Sequence, residues 1–446
     1  MTLLDPAAAR AGQVETKTMN TATGPKPTNV RYGVLALIAL GTVINYLDRT
    51  LLSVAAPTMT KDLGIDAATM GLVFSAFSWT YALAQIPGGV FLDRFGVRLT
   101  YFLSVGLWSM FTVLQGFATG LGSLLGFRLG LGAAEAPCFP ANSRVLVSWF
   151  PQRERARANS VYTVGMYFGI AFLSPLLFWI TARFGWRVLF MGVGALGLIF
   201  AAVWLRFYRD PDKSAAVNQA ELDHIAAGGG VSSYAQTTFS WKDVGYLLRQ
   251  RQILGASFGQ FATNATLVFF LTWFPTYLMT ERNMSWLKVG FYAVLPFIAA
   301  SVGALVGGQV SDALVRRSGS ANLGRKLPIV GGLLMSSTIA LAAFIRSDAL
   351  VIAVMSVAFF GQGMSNLGWT LISDVAPKSL VGLTAGLFNF CTNLAGIVTP
   401  IVIGFVVAKT GSFFGGLAFI GVMALLGALS YTFAVGDVRR LPDPAR

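Results

Sequence analysis

Apolar residues run along this chain in long blocks, and polar residues are confined to short gaps between them. A helix that crosses a bilayer needs about 20 mostly apolar residues. Twelve blocks reach that length: 33–56, 70–92, 99–118, 121–147, 158–182, 187–208, 252–279, 287–311, 327–345, 349–374, 381–407 and 413–435. The longest polar interval, Arg209 to Arg251, divides them six and six. The pattern predicts an all-α integral membrane protein with twelve transmembrane helices in two six-helix halves. The halves are 32–208 and 252–436, with a tail at 1–31, a linker at 209–251 and a short tail at 437–446. Within the linker, Ala220 to Ala227 is expected to form a short helix that Gly228–Gly230 ends. Residues 1–30 are polar, and the first block is too long for a signal h-region, so it is expected to stay in the mature protein.

The halves also mirror each other. GGVFLD (88–93) follows the second block and GGQVSD (307–312) ends the eighth, an offset of 219. Pro57-Thr58 and Pro275-Thr276 end the first and seventh at an offset of 218, and Pro151 and Pro377 follow the fourth and tenth at 226. Three landmarks in the same order at nearly one offset indicate a parallel internal repeat. Such a repeat is the plan of two-half transporters, whose substrate site lies between halves near the midplane.

Composition agrees with a lipid-facing surface. Hydrophobic residues make up 55% and charged residues 12%, against roughly a quarter charged in soluble proteins. Mean hydropathy is +0.65. The net charge of +14 is scattered over the gaps and forms no basic stripe, so no nucleic-acid partner is expected. The tail, the gaps after even-numbered blocks and the C-terminus together hold 23 of the 33 Lys and Arg residues. The opposite gaps hold 7 (Lys61, Arg183, Arg187, Arg282, Lys288, Arg346 and Lys409), and 3 lie within blocks (Arg49, Arg128 and Arg144). Because Lys and Arg favour the cytoplasmic side, both termini are expected there. Cys138, Cys391 and the single His224 offer neither a disulfide framework nor a metal-ligand spacing. There is no nucleophile motif, no H-E-x-x-H and no phosphate-cradling G-x-x-x-x-G-K. No enzyme activity, cofactor or metal is expected.

Charges inside the blocks point to function. Asp48 and Glu135 are the two acidic residues deep in a block, accompanied by Arg49 and Arg128. A charge at the bilayer centre costs about 2.5–3.5 kcal/mol or more, so such residues are rare and tend to be functional. Arg128 and Glu135 are seven apart, two helical turns, and share a face with roughly 10 Å between them along the axis. Internal ion pairing would satisfy all four. Alternatively, two planar guanidinium forks suit a carboxylate ligand. Burial favours the protonated form of a carboxylate and a nearby Arg favours the charged form. That competition makes Asp48 and Glu135 candidate proton carriers.

Between the second and third blocks, GGVFLDRFGVR (88–98) resembles the G-x-x-x-D-R-x-G-x-R signature of the major facilitator superfamily, as Gly89, Asp93, Arg94, Gly96 and Arg98. A degraded copy surrounds Asp312, Arg316 and Arg317. The resemblance implies that these residues are conformational latches, with the acidic one meeting a neighbouring helix. NYLDR (45–49), FSAFSWTYALAQIPGG (74–89), GLGAAEAPCFPANSR (130–144), ELDHIAAGGG (221–230), FFLTWFPTYL (269–278) and VGDVRR (435–440) are similar to its anion:cation symporters, above all to bacterial D-galactonate and D-glucarate transporters.

That resemblance implies a monomer in the bacterial inner membrane that takes up a small organic anion, a hexonate or aldarate, together with protons. It assigns Asp48 and Glu135 to proton coupling and Arg49 and Arg128 to the anion. Tyr81, Gln260, Trp369 and Asn389 match pocket-lining positions, for which helix packing is the alternative role; Asn264 and Asn393 are further candidates. Met166, Asn366 and Gly368 depart from the galactonate pattern, and Gly368-Trp369 and Asp374 look closer to glucarate transporters. Asp374 reads as a gate or cap, and Arg144 as a snorkelling residue or part of the gating loop. Another carboxylate, such as a hexuronate or aromatic acid, or a proton/drug antiporter on the same scaffold, is the alternative. Two inward-facing arginines disfavour lipophilic cations.

Overall fold

A computed structural model describes residues 27–228 and 240–444, and the regular elements among them are all helical. They are α1 (Val30–Leu63), α2 (Ala67–Gln115), α3 (Leu121–Glu135), α4 (Cys138–Trp149), α5 (Gln152–Phe207), α6 (Gln219–Ala227), α7 (Trp241–Leu247), α8 (Arg251–Thr272) and α9 (Phe274–Thr280). There follow α10 (Trp286–Tyr292), α11 (Val294–Ser318), α12 (Ala321–Ser337), α13 (Asp348–Ser365), α14 (Gly368–Val375), α15 (Val381–Asn393), α16 (Ala395–Thr410) and α17 (Phe414–Leu429). Most of the N-terminal tail, linker residues 229–239 and the Met166 side chain lie outside what is described.

Nine segments among the described residues are long and apolar enough to cross a membrane. The expected twelve would require dividing α2 and α5 and joining α3 to α4. Helix α2 has 49 residues; a straight helix of that length would measure about 74 Å at 1.5 Å per residue, twice the roughly 30 Å hydrocarbon core. It breaks at Gly96, where φ is 74° and ψ is 171°. A left-handed φ of this kind is tolerated by glycine because it has no Cβ. Gly185 (φ 83°, ψ 164°) breaks α5 in the same way. The fourth block is interrupted where the sequence pattern showed continuity. Pro137 separates α3 from α4, because proline lacks the N–H that would bond back one turn. The tenth block is likewise interrupted at Asn366 and Leu367, between α13 and α14.

Three apolar cores decide the shape. One contains Leu51, Met59, Met70 and Phe74 of the first half together with Trp273, Phe359, Ile403 and Phe413 of the second. A second contains only first-half residues and α6, among them Ile38, Tyr101, Trp149, Trp204 and Ile225. A third contains Leu247 of α7, at the end of the linker, with second-half residues that include Ile329, Leu371, Phe388 and Tyr431. The halves therefore share a core at the end that carries residues 59–70 and separate toward the end that carries the linker. The shared end is tight: a Cβ on Gly71 would fall 2.5 Å from the Pro400 carbonyl oxygen, and one on Gly404 would fall 2.5 Å from that of Ala67. Trp273 Nε1 donates to the Pro400 carbonyl at 3.2 Å, and its ring meets Phe74 at 5.2 Å. Asp66 caps α2 at this end by accepting from Thr69 N at 2.8 Å. Hydrogen bonding to Thr69 holds its carboxyl below the usual carboxylate range.

The linker divides: α6 docks on the first half, and α7 packs on α15 of the second. The expected short helix forms as α6 and ends at Gly228. Its Glu221 is fully buried and accepts from Arg31 Nη1 at 3.1 Å and from the Arg31 backbone N–H at 3.3 Å.

Candidate functional site

Asp48 and Arg49 are adjacent on α1, so they point about 100° apart around the helix and reach different partners. Both oxygens of Asp48, a residue 3% exposed, accept from the Thr112 hydroxyl of α2, at 2.8 and 2.7 Å. Arg49 turns instead to Glu135, the last residue of α3. Its Nε donates to Glu135 Oε1 at 2.8 Å, and its Nη2 makes an ion pair with the same oxygen. Glu135 is fully buried, and its Oε2 has no partner among the described residues. Four aromatic rings, of Tyr46, Phe77, Tyr81 and Phe139, lie 4.9–5.8 Å from the Arg49 guanidinium. Such rings stabilise a cation through their quadrupoles. Tyr81 is buried and stacks on Phe77 at 5.2 Å.

Arg128 differs from Arg49. It is 5% exposed and lies 5.4 Å from the Phe77 ring, yet it makes no hydrogen bond or ion pair among the described residues; its Nε is buried without a partner. Asp48, Glu135 and Arg49 act on it electrostatically without touching it. The four charges expected to form a constellation do gather. The two arginines are not equivalent: Arg49 is already paired, and Arg128 is the open fork. A buried cation without a hydrogen-bonded counter-charge is costly, and an incoming carboxylate would remove that cost.

The second half offers amides. Gln260 of α8, 2% exposed, donates through Nε2 to Asn366 Oδ1 at 3.2 Å, and its own Oε1 is buried without a partner. Trp369 is 37% exposed and meets Phe388 edge-on at 4.9 Å. Asn389 Oδ1 accepts from Asn393 Nδ2 one turn along at 2.9 Å, and Asn264 Nδ2 donates to the Thr392 carbonyl at 2.9 Å. A Cβ at Gly368 would lie 2.2 Å from Gln260 Oε1 and 2.4 Å from Tyr431 Oη. Sequence reasoning missed Thr112 and Tyr431. Nothing in their spacing links them to residues 64 and 171 positions away in α1 and α8; only packing joins them.

The signature residues sit at the linker end. Arg144 Nη1 of α4 bonds Asp93 at 2.9 Å and also the Leu92 carbonyl at 3.1 Å, so Arg144 joins the signature segment. Arg98 Nη2 donates to the Leu205 carbonyl at 2.7 Å. Arg94 is exposed, with its guanidinium 5.5 Å from the Phe95 ring. Gly89 has open space where a Cβ would stand. In the second half Arg325 of α12 bridges Asp312 at 3.4 Å and Asp374 at 3.0 Å.

Residues 38–400 match the Major Facilitator Superfamily. The chain belongs to this superfamily. Its two halves, the broken helix at Gly96 and the paired Asp93 fit that membership, and its apolar helices make it a multi-pass membrane protein. It is 44% identical, over 93% of its length and 96% of the relative's, to a probable galactarate/D-glucarate transporter of Escherichia coli K12. It is 45% identical to the D-galactonate transporter of Escherichia coli O6:H1, over 93% and 98% of the two chains. It is 33% identical to the hexuronate transporter of Bacillus subtilis, over 89% and 93%. Among solved structures, a bacterial homolog of the human lysosomal transporter Spinster superposes with a TM-score of 0.73 at 20% identity, covering 92% of this chain and 97% of that one. That likeness extends to the fold.

Proposed function

We propose that this protein is a proton-coupled symporter that carries a sugar acid, a hexonate or aldarate such as D-galactonate or D-glucarate, across the bacterial inner membrane by alternating access. It works as a monomer, with the linker end and both termini in the cytoplasm, the side that carries most of the Lys and Arg. The observation that carries this reading is Arg128, a buried guanidinium with no hydrogen-bonded partner beside a neighbouring Arg49–Glu135 pair. The names of the relatives supply the class of cargo.

Charge balance supplies the coupling. Asp48, Glu135, Arg49 and Arg128 sum to zero when all are ionised. A monoanion arriving alone would leave the site negative, which is expensive away from water. A proton on Glu135 weakens its pairing with Arg49, so that both guanidiniums face the cargo carboxylate and the loaded site is neutral. Asp48, held by Thr112 rather than by an arginine, is the second proton position. The Asp93–Arg144 and Asp312–Arg325–Asp374 contacts act as latches within each half while the halves rock about the shared core.

The test is uptake of labelled D-galactonate and D-glucarate into proteoliposomes with an imposed inward proton gradient. Accumulation that collapses when the gradient is dissipated is the expected result. Accumulation indifferent to the gradient, or no uptake of any sugar acid, would overturn the proposal.

A further inference from the structure

We infer that the second half of this transporter selects for a second carboxylate, so that the preferred cargo is an aldarate rather than an aldonate, and that Gln260 and Gly368 impose this by fixing the amide of Asn366. The inference rests on the sugar-acid reading above and narrows it.

An asparagine side chain has one oxygen that accepts and one nitrogen that donates. Gln260 Nε2 occupies the acceptor, Asn366 Oδ1, at 3.2 Å. The Asn366 NH2 group has no protein acceptor among the described residues, so this half-buried amide presents a donor. Gln260 can reach Asn366 only because residue 368 is glycine. The Gln260 Oε1 and the Tyr431 hydroxyl together fill the space of a Cβ there, at 2.2 and 2.4 Å. Both side chains are enclosed, at 2% and 0% exposure, so neither can swing aside freely. Trp369, three residues beyond Asn366, is 37% exposed. Helix α14 packs on α8, α12 and α15.

A fixed donor discriminates between the far ends of the two cargo types. The sixth carbon of an aldarate carries a carboxylate, which only accepts; that of an aldonate carries a hydroxymethyl group. Hydrogen bonds to an ionised acceptor are shorter and roughly twice as strong as neutral ones. Among the described residues the second half buries no charged side chain. Selection there rests on amide donors, while Arg128 holds the first carboxylate. The two protonatable acids Asp48 and Glu135 match the two negative charges of an aldarate.

The experiment measures inhibition of labelled D-glucarate uptake in proteoliposomes of the full chain by unlabelled D-glucarate, D-galactarate and D-galactonate. In wild type the aldarates should compete at about tenfold lower concentration than galactonate. Asn366→Asp keeps the size and the acceptor for Gln260 but turns an anion outward, so inhibition by the aldarates should weaken more than inhibition by galactonate and the tenfold preference should vanish. Asn366→Ser and Gly368→Ala, the latter displacing Gln260, should shift the ratio the same way. Thermal stabilisation of the purified protein by each acid gives the same ranking for a variant that folds but does not turn over. A wild type that prefers galactonate, or variants that keep the wild-type ratio, overturn this inference alone. Absence of uptake of any sugar acid in wild type overturns the underlying reading as well.

Discussion

Both halves of this molecule interrupt a helix near the same point of the repeat, after Glu135 in the first and at Asn366–Leu367 in the second, but the chemistry around the two interruptions differs. The first gathers Asp48, Arg49, Arg128 and Glu135, with aromatic rings around the arginines. The second holds two amide pairs, Gln260–Asn366 and Asn389–Asn393, with no buried charge among the described residues. The cost of charge in a membrane explains the division. Concentrating the ions in one half lets them neutralise each other. Under the function proposed above, that half would exchange protons and the other would read the far end of the cargo through neutral amides. The ion pairs at the linker end also differ: the first half supplies its arginine from α4 to Asp93, and the second supplies Arg325 from α12 to two acids. The repeat preserves the place of the ion pair and not its wiring.

The comparison breaks most visibly at the paired arginine. Arg49→Ala leaves Glu135 buried and unpaired, which should cost about 3–5 kcal/mol of stability. Arg128→Ala removes a cation that pairs with nothing among the described residues and should lower the thermal unfolding temperature far less, while abolishing cargo binding. Equal destabilisation by the two changes would show that the arginines are equivalent after all.

The next effect is on coupling. With two protons per monoanion, galactonate uptake moves positive charge inward and gains about 2.3 kcal/mol per 100 mV of membrane potential. A substrate-induced current on a supported membrane should be inward and positive in wild type and disappear in Glu135→Gln, which retains counterflow exchange. In Gln260→Leu, a change in the uncharged half, the current should keep its sign and only its half-saturation should move. A current lost equally in both variants would contradict the division of labour.

Geometry is expected to matter at Arg128. Arg128→Lys keeps the charge and loses the bidentate fork, so affinity should weaken by about tenfold or more, the worth of one hydrogen bond to a charged group. Isothermal titration at fixed pH measures this, and unchanged affinity would reassign Arg128 to a purely electrostatic role. If proton binding accompanies anion binding as proposed, affinity should also improve as pH falls.

The smallest effect is at the helix break. Gly96→Ala places a Cβ on a left-handed residue at a cost of roughly 1–2 kcal/mol. It should slow transport through the signature loop without altering cargo preference. A changed glucarate-to-galactonate ratio in that variant would place the loop in the site.

Much of this was legible in the sequence. Block length gave membrane helices, the GGVFLD and GGQVSD copies gave two halves, and four charges in apolar surroundings marked the site, because lipid penalises each of them independently of any partner. The AELDHIAAGGG segment carried its own helix and stop. The gaps at 92–99 and 182–187 are helix breaks at Gly96 and Gly185, which composition locates but cannot describe. The fourth block reads as continuous through Pro137, so the break beside Glu135 was not foreseen. Nothing announced the break at Asn366 either.

Periodicity assigns a residue to a face, and only packing assigns it a partner. Asp48 and Arg49 are neighbours in the chain, yet one rests on Thr112 and the other on Glu135, because a step of 100° on α1 aims them at different helices. The third helix then brings Arg128 to the same cage with nothing to pair with. Likewise the glycine at 368 has no meaning along the sequence and becomes the seat of the Gln260 amide once α8, α14 and Tyr431 converge. The chain alone determined that charge would be buried here; the fold decided which charge was left open.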